Sequence, residues 1–237
     1  MAQISAGAIV ARVKVGEAKI EDLHAAVRME ITREAEVVSR TFDLWLARDG
    51  VDYRALIALQ EPASMRGTKF LVHATRGARN QQWAYFPDLD LTRSIPGKQQ
   101  DDPFLGSLIT YADLAGGAHL DDLKHTLLGE EDVDGEESYF LEGVPRHATA
   151  YSKLQGWVRK ADYVIIKARF FDGDGEPLKQ ARLLDVRELA EGARLAHRVE
   201  VESLSDESRT VLTFDNVSIN QGLDEDMFEP ESLGTKP

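Results

Sequence analysis

The sequence predicts a mainly β protein of the α+β kind, with about a dozen antiparallel strands and two or three short helices. Three observations lead there. Apolar and polar residues alternate with period two over many separate stretches. Those stretches are joined by turn sequences too short for the crossovers that parallel strands require. Helical spacing is confined to short segments, chiefly residues 4–14 and 104–114. Such a set favours one long sheet, curled or closed, over a packed α/β core.

Residues 4–14 (ISAGAIVARVK) have the small and apolar spacing of a short helix within an N-terminal segment, 1–22. From Leu23, the apolar Leu23, Ala25, Val27, Met29 and Ile31 alternate with a wetter face, as in a half-buried strand. Val38–Leu46 repeats the pattern, and Tyr53–Leu59 follows the turn at Asp49-Gly50. Lys69–Thr75 and Gln81–Phe86 read as a strand pair turning around Gly77, followed by a short strand at Leu91–Ile95. After the break at Pro96-Gly97, Asp102-Pro103 reads as a helix N-cap with proline at the first helical position. Phe104, Leu105, Leu108, Ile109 and Ala112 would share one face of that helix, with Gly116-Gly117 as its stop. Further strands are expected near 123–130, 137–144, 149–159, 161–171, 177–189, 194–203 and 209–219, with a hairpin turn at Asp172-Gly173-Asp174-Gly175. No interdomain linker and no repeat of 20–50 residues is present, so residues 1–237 read as a single domain.

Composition narrows the function. Without cysteine there are no disulfides, thiolate metal sites or cysteine nucleophiles. The net charge of −13 disfavours non-specific nucleic-acid binding. That charge is concentrated in residues 121–137 and in the C-terminal stretch from 215, whose last part, 224–237, reads as an acidic tail. Residues 63–100 are instead basic, through Arg66, Lys69, Arg76, Arg79, Arg93 and Lys98. No apolar run approaches the ~20 residues that span a bilayer, and the N-terminus lacks the pattern of a signal peptide.

Catalytic and metal motifs are not found. The six histidines include no His-x-x-x-His pair. His119 and His125 near Asp121 and Asp122 read better as surface histidines than as ligands. Asp172-x-Asp174 lacks the glycine and glutamate of a calcium loop, since Pro177 and Leu183 stand at those places. No Gly-x-Ser-x-Gly elbow or phosphate-cradling glycine loop occurs, and nothing sets a histidine base beside Ser107. A binding protein without catalytic residues, cofactor or metal is the expectation.

The middle of the chain resembles the outer-membrane lipoprotein-sorting protein family, the LolA/LolB-like superfamily. The residues that carry the resemblance are Pro62, Gly67-Thr68-Lys69-Phe70-Leu71, Trp83, Tyr85, Pro87, Leu89, Arg93 and Ile95. They continue in Phe104-x-Gly106-Ser107, Thr110-Tyr111-x-Asp113-Leu114, Asp134-Gly135, Tyr151, Trp157-Val158, Phe171-Asp172-x-x-Gly175, Lys179, Thr213 and Phe228-x-Pro230-x-x-Leu233. Each motif is weakly specific; their order and spacing together are more so. The chain departs from the family pattern at Leu108, Ala112, Glu231 and Ser232, where polar, acidic, basic and aromatic residues are common.

The resemblance implies an incompletely closed antiparallel β-barrel with a short helical lid over an apolar cavity. It implies a periplasmic, non-catalytic carrier of lipoprotein acyl chains or other lipids, with an export signal removed from this chain. The wall would be Val27, Met29, Phe42, Leu44, Leu46, Ile57 and Leu59, joined by Phe70, Trp83 and Tyr85, and the lid would carry Phe104, Leu108 and Ile109. Alternating apolar residues are more often ordinary core than ligand wall. The expected partners are an acylated lipoprotein or lipid and an envelope membrane transporter, with a monomer favoured and the oligomeric state left open. The alternative is a structural or accessory module of such a transporter, with the same β scaffold and no lipid cargo. In either case the basic residues would face lipid phosphates or solvent, and the tail Asp224–Glu231 would dock on a basic partner.

Overall fold

The computed structural model describes residues 4–50, 52–76, 80–115 and 120–234. In chain order the elements are α1 (Ala6–Glu17), β1 (Asp22–Arg33), β2 (Glu36–Asp49), β3 (Asp52–Glu61), β4 (Lys69–Ala74), β5 (Gln81–Phe86) and β6 (Leu91–Ser94). Then come α2 (Tyr111–Leu114), β7 (Leu123–Val133), β8 (Glu136–Pro145), β9 (Lys153–Arg159), β10 (Ile165–Phe171), β11 (Pro177–Glu188), β12 (Arg194–Ser203) and β13 (Arg209–Ile219). The strands form one antiparallel sheet in the order β6-β5-β4-β3-β2-β1-β13-β12-β11-β10-β9-β8-β7. With β6 and β7 at its two ends, the sheet is not closed into a barrel, and the fold is mainly β. Gly77, Arg79, Gly116-Gly117 and His119, singled out in the sequence, lie outside the described residues.

The chain divides into two compact units, Met1–Lys19 with Ala118–Arg209, and Ile20–Gly117 with Thr210–Pro237. In the first, Ser5 caps α1 by accepting from the Ala8 amide at 3.2 Å. The helix buries Ile9, Val10 and Val13 against Leu141 of β8 and Val158 of β9, and Lys14 reaches Asp121 at 2.6 Å. It begins and ends later than residues 4–14, because the cap, rather than the apolar spacing, sets its start.

Strand β10 starts at Ile165, later than the expected 161, because the turn before it is tied from within. Arg159 holds Asp162 through two hydrogen bonds of 2.9 and 2.8 Å, the Val164 amide donates to the same carboxylate, and Tyr163 adopts φ 60. Burial alone would raise the Asp162 pKa, but the hydrogen bonds from Arg159 and Val164, with the charges of Arg159 and Arg194, hold it below the ordinary value. A depressed folded pKa contributes stability above the unfolded value, about 4, which is lost as pH falls through the folded pKa. Asp162→Asn should therefore lower Tm at neutral pH, with the deficit shrinking in strong acid. A deficit of the same size at both pH values would contradict this.

The β10–β11 turn is the anticipated hairpin. Asp172 Oδ1 accepts from the amides of Asp174 and Glu176 at 3.0 and 2.9 Å, which ties the carboxylate into the turn.

In the second unit, register decides which side chains share a face. One row runs Ala25–Leu44–Ile57–Phe70–Ala84–Arg93 across β1 to β6. Beside it Val27, Phe42 and Leu59 align, and Leu23, Leu46, Ala55 and Val72 continue the same face. The neighbouring row, Trp45–Leu56–Leu71–Trp83–Ser94, points to the opposite side because successive strand residues alternate. Strand β4 is buried on both sides along nearly its whole length, as its run Phe70-Leu71-Val72 suggests for a doubly covered strand.

Two separate segments provide those covers. On the row of Leu71, the C-terminal stretch buries Phe228 and Leu233 against Leu56, Leu71 and Tyr85. Arg54 pairs with Glu225 at 3.3 Å and Glu229 at 3.8 Å. Over Asp224–Glu231 the acidic tail is thus held on the sheet by its apolar residues, with Glu225 and Glu229 paired to Arg54.

Candidate functional site: a cleft beside the 102–115 loop

The other cover, on the row of Phe70, is the segment expected to be a helix over 104–114. The structure corrects this. Phe104–Gly106 is a single 3-10 turn in which Leu105 (φ 52) and Gly106 (φ 81) both take left-handed backbone. An α-helix accommodates neither. Pro103 and Thr110 are bridged, with the Phe104 amide donating to the Ile109 carbonyl at 2.7 Å. Inside this small loop the Ser107 hydroxyl donates to the Phe104 carbonyl at 2.7 Å and accepts from the Ile109 amide at 3.1 Å. Ser107 is a buried knot in the loop, with its polar contacts to backbone.

Helix α2 starts only at Tyr111. Its N-cap is Thr110 rather than Asp102: Thr110 accepts from the Asp113 amide at 3.1 Å, and Asp113 accepts from the Thr110 amide at 2.8 Å. This reciprocal pair is a capping box, legible in Thr110-Tyr111-Ala112-Asp113.

The loop is fastened to the sheet by both apolar and polar contacts. Phe104 is 1% exposed and meets Phe70 edge-on at 5.0 Å and Tyr111 at 5.5 Å. Ala115 and Leu114 pack with Ala55, Val72, Ala74 and the half-buried Leu44 and Tyr53. Gln82 donates to the Tyr111 carbonyl at 2.7 Å, and the Leu108 amide donates to Thr210 at 3.0 Å. The Tyr53 hydroxyl donates to the Leu114 carbonyl at 2.9 Å. Burial pushes the Tyr53 phenol far above its ordinary pKa, with Arg48 opposing and Asp113 adding to the rise, so this donor is retained at any physiological pH.

Beside the loop, at the β5–β6 end of the sheet, lies a cleft of about 690 Å³. That is within the range of about 300–1,000 Å³ usual for ligand clefts. Its apolar lining includes Met65, Phe70, Phe86, Leu89, Leu105 and Tyr111, with Arg93, Asp88 and Asp102 as its charged groups. Leu89 is 70% exposed. Burial and the nearby Asp102 raise the Tyr111 pKa, which keeps the phenol neutral.

The expected wall residues fall into three groups. Val27, Met29, Phe42, Leu44, Leu46, Ile57, Leu59 and Phe70 do share one face of the sheet, and among them Phe70 lines the cleft. Trp83 and Tyr85 lie on the other face, where Tyr85 packs with Phe228 and Leu233 and Trp83 meets His73 at 5.0 Å. They share a face with each other, as i and i+2 must, but it is the face of Leu71, one residue out of phase with Phe70. Phe104, Leu108 and Ile109 are in the covering loop, with Phe104 turned onto the sheet and the other two half-buried.

Sequence reading missed Met65, Phe86, Leu89, Leu105 and Tyr111. Phe86 could have been found by pairing Ala84 with Phe70, which sets Phe86 on the same face. Of the basic residues, Arg93 lines the cleft. Lys69 is buried on the opposite face, where desolvation lowers its pKa, and Arg66 bonds the Gln60 carbonyl. His73 bonds the Phe228 carbonyl at 2.7 Å, His197 the Leu195 carbonyl at 3.1 Å and His125 the Leu120 carbonyl at 2.6 Å. Among the described residues no cluster of three or more His, Asp or Glu side chains could hold a metal ion.

Comparison with known proteins places the chain in a family. No curated protein matches the chain. A DUF1329 family protein from Desulfovibrio piger is similar over 98% of this chain and 100% of its own, with 27% identity and a TM-score of 0.90. An outer membrane lipoprotein-sorting protein domain from Vibrio parahaemolyticus has 24% identity and a TM-score of 0.88, covering 95% of this chain and 97% of its own. A LolA superfamily protein from Nitrosomonas europaea has 19% identity and a TM-score of 0.75, with 96% and 98% covered. A family model described as "-like: Uncharacterized protein" matches residues 52–235. The chain belongs to that family, and its fold is that of the LolA-like lipoprotein-sorting proteins, in line with the resemblance in its motifs.

Proposed function

We propose that this protein is a non-catalytic carrier of the bacterial periplasm that binds acyl chains of lipoproteins or other lipids and moves them across the cell envelope. The observation that carries the reading is the cleft beside the 102–115 loop, apolar where Met65, Phe86, Leu89 and Leu105 meet. The lipoprotein-sorting domain that shares the fold supports the cargo class. No helix among the described residues is long and apolar enough to cross a membrane. In this reading the acyl chain enters at Leu89 and Phe86, lies over Phe70, and with the loop lifted continues along Ile57, Leu44 and Leu46. Val27, Met29, Phe42 and Leu59 form the packed remainder of that wall. An envelope transporter would load or unload the cargo.

Each buried methylene contributes about 0.8 kcal/mol, so about ten of them contribute on the order of 8 kcal/mol before the cost of ordering. Roughly micromolar binding is therefore the tight limit, and the ordering cost weakens it from there, which keeps the cargo releasable.

Native mass spectrometry of protein purified from its own host is expected to show a lipid-mass adduct, and a fluorescent fatty-acyl probe is expected to bind. Clean apo protein with no probe binding would sink the proposal. A finer test is Leu105→Gly. Glycine removes the left-handed strain at φ 52, of order 1 kcal/mol, and also removes an apolar wall. Tm should hold or rise while probe affinity falls; a Tm loss with unchanged affinity would contradict the assignment of Leu105 to the cleft.

A further inference from the structure

The geometry points to an oxyanion-binding site in the unit that carries α1, where Lys167, Arg169 and Arg182 gather beside the indole of Trp157 on the β9–β10–β11 face. The ligand class is a phosphate group, free or as the headgroup of an anionic lipid. The site is built separately from the acyl cleft and does not depend on it.

Register brings the cations together. Lys167 of β10 stands opposite Trp157 of β9 and opposite Arg182 of β11, and Arg169 is two residues along on the same face. Like charges directly opposite each other weaken a sheet, so folding alone does not call for this arrangement. Trp157 is the floor. It is buried and stacked on Phe140 at 4.7 Å, and its indole N–H is fixed by Glu131 at 2.7 Å. Over the ring lie the Lys167 ammonium at 4.6 Å and the Arg169 guanidinium at 5.6 Å.

The nearby carboxylates offset the group only in part. Asp134 pairs with Arg182 and Glu131 is engaged by Trp157. No salt bridge forms to Lys167 or Arg169 among the described residues. Arg169 Nη2 reaches Gln180 at 3.4 Å, and its buried Nε has no acceptor. A buried guanidinium N–H without an acceptor is costly. Burial lowers the Lys167 pKa, and the charges of Arg169 and Arg182 lower it further against the pull of Asp134 and Glu131, as happens to an ammonium set among like charges. A tetrahedral oxyanion accepting from the Lys167 ammonium and the outer edge of the Arg169 guanidinium would neutralise the repulsion by charge-assisted hydrogen bonds.

The test follows the Trp157 indole N–H resonance by NMR during titration with inorganic phosphate, against chloride at matched ionic strength. A second arm measures co-sedimentation with phosphatidylcholine vesicles with and without phosphatidylglycerol. A saturable shift in the first arm identifies a free phosphate site, and sedimentation dependent on phosphatidylglycerol identifies a headgroup site. In whichever arm responds, Lys167→Gln and Arg169→Gln should each weaken binding roughly tenfold. Ligand-free Lys167→Gln should unfold at the same temperature as wild type or higher, because it relieves repulsion. The proposal is overturned by silence in both arms, by wild-type affinity in both variants, or by a Lys167→Gln variant that loses stability but not binding.

Discussion

Phe228→Ala is expected to lower the unfolding free energy by about 3–5 kcal/mol, the usual cost of emptying a fully buried Phe site. Phe228 is 0% exposed and lies with Leu233 against Leu56, Leu71 and Tyr85. The Arg54 guanidinium sits over its ring at 5.5 Å. The loss should be large because the Phe228 ring is the largest fully buried side chain of this short, 3-10 helical stretch. Once it lifts, the apolar row Leu56–Leu71–Trp83 meets water. Urea unfolding measures the effect. A loss below about 0.5 kcal/mol, the level of an ordinary surface change, would mean that the tail is dispensable and that its charges are free to serve a partner.

The second large effect is on binding. Phe104→Asp should weaken acyl-probe binding at least roughly tenfold, about 1.4 kcal/mol, while the far-ultraviolet circular dichroism keeps its β signature. Phe104 is the residue by which the 103–110 loop grips Phe70 and Tyr111, and a carboxylate there has no partner to offset its burial. The sheet should survive because the loop is an excursion between β6 and β7, outside every strand ladder. Leu108→Asp is the milder companion. Leu108 is half-buried and held through its amide by Thr210, so its side chain can change with the backbone anchor intact. Unchanged probe affinity in both variants would remove the loop from the binding site.

Much of this fold was legible in the sequence, because alternation and turn chemistry are local signals. The Asp172 hairpin and the alternation from Leu23 to Ile31 report themselves within a few residues. The site was less legible, because it depends on which strand lies opposite which. Trp83 and Tyr85 share a face by spacing alone, but only the pairing of Leu71 with Trp83 assigns that face to the tail. The loop misled for a related reason. Phe104, Leu105, Leu108 and Ile109 have helical spacing, yet Leu105 and Gly106 are both left-handed and Ser107 ties the turn with its side chain. Apolar spacing records which residues are buried, and a tight loop can bury them as well as a helix can. The capping box at Thr110 and Asp113 marked the true helix start.

The measurement that bears most directly on the carrier account is photocrosslinking with a diazirine-bearing fatty acid, followed by peptide mapping. The account predicts labelling concentrated at Met65, Phe86, Leu89 and Leu105, competed away by unlabelled fatty acid and reduced in Phe104→Asp. Labelling spread over the surface without competition, or concentrated away from the cleft, would contradict it.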